Sequence, residues 1–245
     1  MSFENTFQWS LSPAKDISLA VNSIKSWNVL EKYICDNKTI IDLGCGAGQL
    51  LYNIQRIAGH YSNCKVIGFD FTEGAISLAR KLCPEAEFKR GDVMNTQFPP
   101  DTFDIVSSSM VIEHVDDDKF LAEISRIIKP GGVLFLTTVM KKDWAWYYLK
   151  NSKGESVLNL THLREYRSAD EIVSKVMKHG FHEVYLETPR LKFSLLDFLL
   201  IRLGTLLKIK YFLEIAAKDF IVTLRKILRI PIPGYYAIEV IAIKI

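Results

Sequence analysis

The 245-residue chain has little that would cross-link it or anchor it. Its four cysteines (Cys35, Cys45, Cys64, Cys83) form no Cys-x-x-Cys pair and no Cys/His zinc spacing, so neither a disulfide framework nor a zinc ribbon is signalled. No run approaches the roughly 18 charge-free apolar residues that a membrane span needs. The opening Met-Ser-Phe-Glu-Asn-Thr-Phe has neither a basic region nor an apolar core. A cytoplasmic protein without a secretory signal is therefore expected. Repeats and low-complexity tracts are also missing, and 49% hydrophobic with 24% charged residues is a globular composition.

Charge of one sign is scarce except in one place. Residues 191–230 hold eight Lys/Arg against three acids, a local +5, whereas the whole chain stands at +3 and the remainder therefore at −2. The late basic residues interleave with Leu, Ile and Phe rather than forming a charged face. Nucleic acid is not an expected partner.

What the chain does have is Thr39 to Leu51, Thr-Ile-Ile-Asp-Leu-Gly-Cys-Gly-Ala-Gly-Gln-Leu-Leu. An apolar run ending in Asp42, then Gly44, Gly46 and Gly48, reads as a buried strand, a backbone-exposing turn and a helix start. Glycine lets a ligand approach the backbone closely and permits positive φ. Here the spacing is G-x-G-x-G, with Gln49 where a dinucleotide fingerprint has its third glycine, and with no phosphate-loop Lys. The cradle therefore suits a nucleotide-like ligand without phosphates.

From Thr39 strand and helix patterns alternate, which predicts an α/β fold whose parallel sheet is covered on both faces. A helix is expected over residues 14–33. Helices follow at Gln49–Ala58, Thr72–Leu82 (Thr72 as N-cap), Lys119–Ile128 (broken by Lys-Pro-Gly-Gly) and Ala169–His179 (stopped by Gly180). Strands are expected at Lys65–Asp70, Glu87–Gly91, Phe103–Ser107, Val133–Val139, His182–Thr188 and Tyr236–Ile245. Ser168-Ala-Asp-Glu reads as a capping box. Successive strand ends then present Asp42, Asp70, Asp92 and a Ser107-Ser108-Ser109 run, at the edge where open parallel sheets bind ligands.

On these residues the chain resembles the class I S-adenosylmethionine-dependent methyltransferases, whose first motif is an acidic residue followed by x-G-x-G-x-G. The likeness covers residues 39–139 well and 160–190 weakly. It implies one Rossmann-like domain with a seven-stranded, mostly parallel sheet and S-adenosyl-L-methionine as cofactor. By the same resemblance, Asp70 binds the ribose, Asp92 the adenine amino group and Asp42 supports the methionine part. Gly44, Cys45, Gly46, Gly48, Phe71, Val93 and Ser109 complete the implied cofactor contacts, and Trp9 is a lid candidate.

The segment Phe-Asp-Ile-Val-Ser-Ser-Ser-Met-Val-Ile-Glu-His-Val-Asp resembles the F-D-x-V…E-H-V-x-D stretch of small-molecule members. His114 is the candidate base, since imidazole titrates near working pH, and Glu113 stands beside it. His162, Arg164 and Tyr166, a His-x-Arg-x-Tyr element, are candidates for binding the acceptor. Quinone-pathway O-methyltransferases can hold a divalent ion on Glu-x-x-Glu-His. Here Glu113 and His114 match, but the earlier acidic position is Met110, and thioether suits a hard cation poorly. No metal is expected.

Between the last two strands about forty residues replace a short hairpin, beyond the usual loop range. Residues 191–230 are apolar and basic together, with Lys210–Arg229 amphipathic. Three readings stay open: a lid over an apolar acceptor, a peripheral membrane contact, and a homodimer contact. The expected activity is methyl transfer to a small, hydrophobic or lipid-linked acceptor, oxygen favoured over nitrogen or carbon. An NAD(P)-dependent oxidoreductase and a cofactor-binding protein without turnover are the alternatives.

Overall fold

The computed structural model describes residues 23–145, 149–151, 154–194 and 229–245. Trp9, residues 14–22 of the helix expected over 14–33, and residues 195–228 lie outside these.

Helix α1 (Ile24–Glu31) leads into β1 (Thr39–Leu43), α2 (Gln49–Ala58), β2 (Lys65–Asp70), α3 (Glu73–Leu82), β3 (Glu87–Arg90) and β4 (Phe103–Ser109). A 3-10 turn (Ile112–His114) precedes α4 (Asp117–Ile127) and β5 (Ile128–Lys141). Then come β6 (Leu149–Lys150), β7 (Ser156–Val157), α5 (Ala169–Lys178), β8 (Phe181–Glu187), β9 (Arg190–Ser194) and β10 (Arg229–Lys244). The main sheet runs β3-β2-β1-β4-β5-β10-β8, with β9 paired to β10. Its pairs from β3 to β5 are parallel, and β10 is antiparallel to all three of its neighbours.

Strand side chains alternate between faces, so a strand buried on both sides reads as unbroken apolar sequence. Ile40, Val133 and Phe135 pack with Trp27, Leu51 and Ile54 on the side of α1 and α2. Ile41, Leu134 and Leu136 pack with Phe120, Leu121 and Ile124 of α4 on the other. Two hydrophobic layers thus clamp one sheet.

The main path of the sheet has the seven strands expected, and among the described residues Arg190–Ser194 adds an eighth that pairs with the first part of β10. Three local expectations are corrected. Helix α4 begins at Asp117, since the Asp116 carboxylate accepts from the Lys119 N–H at 3.1 Å and caps it. Lys129-Pro-Gly-Gly lies inside β5, where a register irregularity against β4 spares Pro130 a ladder bond. Thr72 and Ser168 sit at N-cap positions but make no side-chain cap bond. The Thr72 hydroxyl donates instead to Asp70 Oδ1 at 2.8 Å.

Chain order reverses at β1, with β2 and β3 on one side and β4 and β5 on the other. A crevice at the carboxyl ends of β1 and β4 follows from that topology.

Candidate functional site

The glycine turn is tied to the end of β2 by backbone and carboxylate together. Gly44 and Cys45 N–H both donate to the Phe69 carbonyl, at 2.7 and 3.0 Å. Gly46 N–H donates to Asp70 Oδ2 at 2.9 Å, while Asp70 Oδ1 accepts from Thr72 N–H at 2.9 Å. Gly44 and Gly48 have φ of +74° and +86°, and a Cβ on Gly44 would stand 2.3 Å from a Val111 methyl. Any side chain there would both strain the turn and strike the segment after β4.

Asp42 lies directly behind this turn, 2% exposed, and accepts from the Ser107 hydroxyl at 2.8 Å. Burial pushes its carboxyl up to about 7, opposed by the Ser107 hydrogen bond and helped by the charge of Asp70. Burial also pushes the Cys45 thiol well up and that of Cys83 to about 12, so neither is a nucleophile at neutral pH. Asp92 Oδ1 accepts from Met94 N–H at 2.8 Å, Val93 is buried, and Phe71 is 53% exposed beside Asp70. Ser109 shares a 2.9 Å hydroxyl contact with Thr137 of β5.

These residues fit an adenosyl ligand. Asp70 Oδ2 accepts one hydrogen bond, from Gly46 N–H, and keeps a second lone pair for a diol hydroxyl, while Oδ1 already accepts both the N–H and the hydroxyl of Thr72. The exposed Phe71 ring offers a face for a base.

Beyond β4 the chain places Glu113 and His114 against a loop from far along the sequence. Leu163 N–H donates to the Glu113 carbonyl at 2.8 Å. His114 Nδ1 meets Thr161 Oγ1 at 3.0 Å, and the His114 and His162 rings stack edge-on, 4.8 Å between centroids. Glu113 is 1% exposed and accepts from the Thr138 hydroxyl at 3.0 Å. Burial lowers the pKa of His114, against the raising influence of Glu113. A neutral imidazole is favoured there.

Of the three acceptor candidates, the structure brings only His162 into this cluster. Arg164 turns away and donates to the Ile112 and Val115 carbonyls, so its guanidinium clamps the turn that carries Glu113 and His114. Tyr166 is 3% exposed in the core, with its hydroxyl on Asp117 at 3.2 Å. Sequence reasoning passed over Glu165, whose Oε1 meets His162 Nδ1 at 2.7 Å. Its only signal was a carboxylate three residues after a candidate histidine. The expectation of no metal turned on Met110, yet His162 supplies a further donor beside Glu113 and His114.

Residues 41–136 match the family of the methyltransferase domain. A ubiquinone biosynthesis O-methyltransferase of Hydrogenovibrio crunogenus is 30% identical over 148 residues, which cover 58% of this chain and 57% of that protein. A demethylmenaquinone methyltransferase of Lactobacillus johnsonii is 34% identical over 122 residues, covering 44% and 49% respectively. The chain spans about half the length of the curated relatives it matches. Among solved structures the cyclase SpnF is similar in fold, with a TM-score of 0.60 at 18% identity over 90% of this chain and 80% of that one. Fold alone does not select the reaction. Domain match, glycine turn and strand-end carboxylates agree on residues 41–136, which match the methyltransferase domain and are similar to S-adenosylmethionine-dependent methyltransferases.

Proposed function

We propose that this chain moves a methyl group from S-adenosylmethionine to an oxygen of a small apolar or lipid-linked acceptor. The observation that carries this reading is the Gly46–Asp70 hydrogen bond, which joins the β1 turn and the β2 carboxylate into one cradle. In this reading Asp70 accepts from the ribose hydroxyls, Asp92 from the adenine amino group, and the turn from Gly44 to Gly48 borders the amino acid part. The cofactor supplies an electrophilic methyl on a sulfonium.

The acceptor end is the Glu113, His114 and His162 cluster, whose lone pairs suit a hydroxyl that must give up its proton. The flanking Leu160 and Leu163 are both exposed and offer apolar contact. The apolar stretch 191–230 supplies further wall in this reading, and its +5 balance adds contact with an anionic lipid surface. Most of the acceleration comes from positioning and exclusion of water, since the displacement itself is a single in-line step.

Radiolabelled S-adenosylmethionine incubated with the protein and a lipid extract is expected to put label into the organic phase. An extract series that never becomes labelled would remove the transferase reading. Asp70→Ala is expected to weaken cofactor binding by about 1–3 kcal/mol through lost charged hydrogen bonds. A melting temperature raised by NAD(H) and indifferent to S-adenosylmethionine would favour the oxidoreductase instead.

A further inference from the structure

We propose that Cys35 and Cys64 are a reversible modification site, a thiol pair that closes to a disulfide by exchange with a small-molecule disulfide of the glutathione class and staples the amino ends of β1 and β2. Sequence spacing hides the pair, since 29 residues separate them. The site stands apart from the glycine turn and from the acceptor cluster, so it is tested without any methyl acceptor.

The contact between the two residues is direct. The Cys64 thiol donates to the Cys35 carbonyl at 3.0 Å. From bond lengths alone that contact puts the two Cα atoms within about 8 Å of each other, and a bridge needs roughly 4.4–6.8 Å. A side-chain rotation at Cys35 and a small shift of its turn close the difference.

The two turns are also tied to one another already. Asn37 N–H donates to the Ser62 carbonyl at 2.9 Å, and Lys65 N–H to the Lys38 carbonyl at 2.8 Å. Ser62 N–H donates to Asp36 Oδ1 at 2.7 Å, and the Asn63 side-chain amide to Asn37 Oδ1 at 3.1 Å. Asn37 and Asn63 take left-handed backbone, with φ of +61° and +57°, a conformation asparagine tolerates in tight turns. Native contacts have therefore met the entropy cost of bringing the two thiols together.

Access separates this pair from the other two thiols. Cys35 is exposed and Cys64 half-buried, whereas Cys45 and Cys83 are buried. The Cys83 thiol donates to the Gly48 carbonyl at 3.6 Å, and burial pushes it and the Cys45 thiol up. Neither supplies a thiolate for exchange. At the exposed pair, the Cys35 thiolate attacks one sulfur of the oxidant and releases the first small thiolate. The Cys64 thiolate then attacks the Cys35 sulfur of the mixed disulfide and releases the second. The two protein thiols lose two protons and two electrons, and the oxidant leaves as two thiols. Where the surroundings keep thiols reduced, such a bridge is transient.

The consequence follows from the topology. The closed loop contains β1, the glycine turn and α2, and it is fastened one residue before β2. At their opposite ends the same strands lead into Gly44–Gly48 and close on Asp70. A cross-link there removes freedom from the unfolded chain and leaves the far edge of the sheet open.

The test incubates the full-length protein with glutathione disulfide, alkylates it after denaturation and maps the peptides by mass spectrometry. A cross-linked Cys35–Cys64 peptide is expected, with Cys45 and Cys83 recovered as alkylated thiols, and dithiothreitol should restore all four. Oxidised wild type should melt about 5 °C or more above the reduced protein. Cys35→Ser and Cys64→Ser should each lose that rise while melting cooperatively near reduced wild type, and Cys64→Ser should accumulate one glutathione on Cys35. Wild type that ends unmodified, or with glutathione on Cys35 and a free Cys64, overturns the inference. So does a bridge to Cys45 or Cys83, or a Cys35–Cys64 bridge that fails to raise the melting temperature.

Discussion

Asp42 is a carboxylic acid held where its charge is costly, and this makes it a measurable residue. Its folded-state pKa, pushed by burial to about 7, lies above the ordinary 3.8. A raised carboxyl contributes stability that is complete below the unfolded pKa and is lost as pH climbs through the folded one. The loss is on the order of 4 kcal/mol between about pH 4 and 7. Denaturant titrations across that window should therefore show wild type losing more stability than Asp42→Asn, and parallel curves would contradict the assignment. A bound sulfonium cation near the turn would draw the proton off, so calorimetry near neutral pH in buffers of different ionisation enthalpy should report proton release that Asp42→Asn lacks. Gly44 is the second such residue. Gly44→Ala carries about 1–2 kcal/mol of left-handed backbone strain before the Val111 contact at 2.3 Å is counted. The variant should melt lower and lose its response to S-adenosylmethionine, and an unchanged response would show the turn to be dispensable.

At the scale of elements, the site depends on two loops that one arginine holds together. The Arg164 guanidinium bonds the Ile112 and Val115 carbonyls, on either side of Glu113 and His114, and its Nε lies 3.6 Å from the Asp117 carboxylate. Arg164→Ala should cost about 1–3 kcal/mol in denaturant unfolding. Arg164→Lys should recover little, because a single ammonium nitrogen cannot serve both carbonyls, as Nη1 does, and also place a second nitrogen beside Asp117, as Nε does. Full recovery by lysine would reduce the clamp to its charge. This pairing also marks where sequence reasoning stops. The strand ends and the glycine turn were legible because each is a local pattern: Ile40 and Ile41 before Asp42, three glycines two apart, a carboxylate closing Lys65–Asp70. His114 and Thr161 are 47 residues apart and meet only because β4 and β5 are neighbours in the sheet. Nothing in either segment alone announces the other. Arg164 and Tyr166 fit an acceptor motif by type, yet the Ile112 and Val115 carbonyls and a buried Asp117 claim them first.

For the whole molecule, the sheet separates two kinds of surface. The parallel half, β3 to β5, carries the proposed cofactor cradle, and the antiparallel half is organised on β10, whose first residues pair with β9. The charge divides along the same line, with +5 in residues 191–230 against −2 elsewhere. A net charge of that sign on an apolar stretch is attracted to anionic lipid by about 1 kcal/mol for each basic residue near the surface. The intact protein should accordingly float with vesicles containing phosphatidylserine, stay behind with phosphatidylcholine alone, and be released by high salt, which screens such attraction. Reversing Lys218, Arg225 and Lys226 to glutamate together should weaken vesicle binding by a hundredfold or more, at about 1 kcal/mol per charge removed, without altering cofactor affinity. Flotation that ignores salt and lipid charge would trace the attachment to apolar contact, and no flotation at all would remove the membrane reading and leave the acceptor wall and the homodimer contact for residues 191–230.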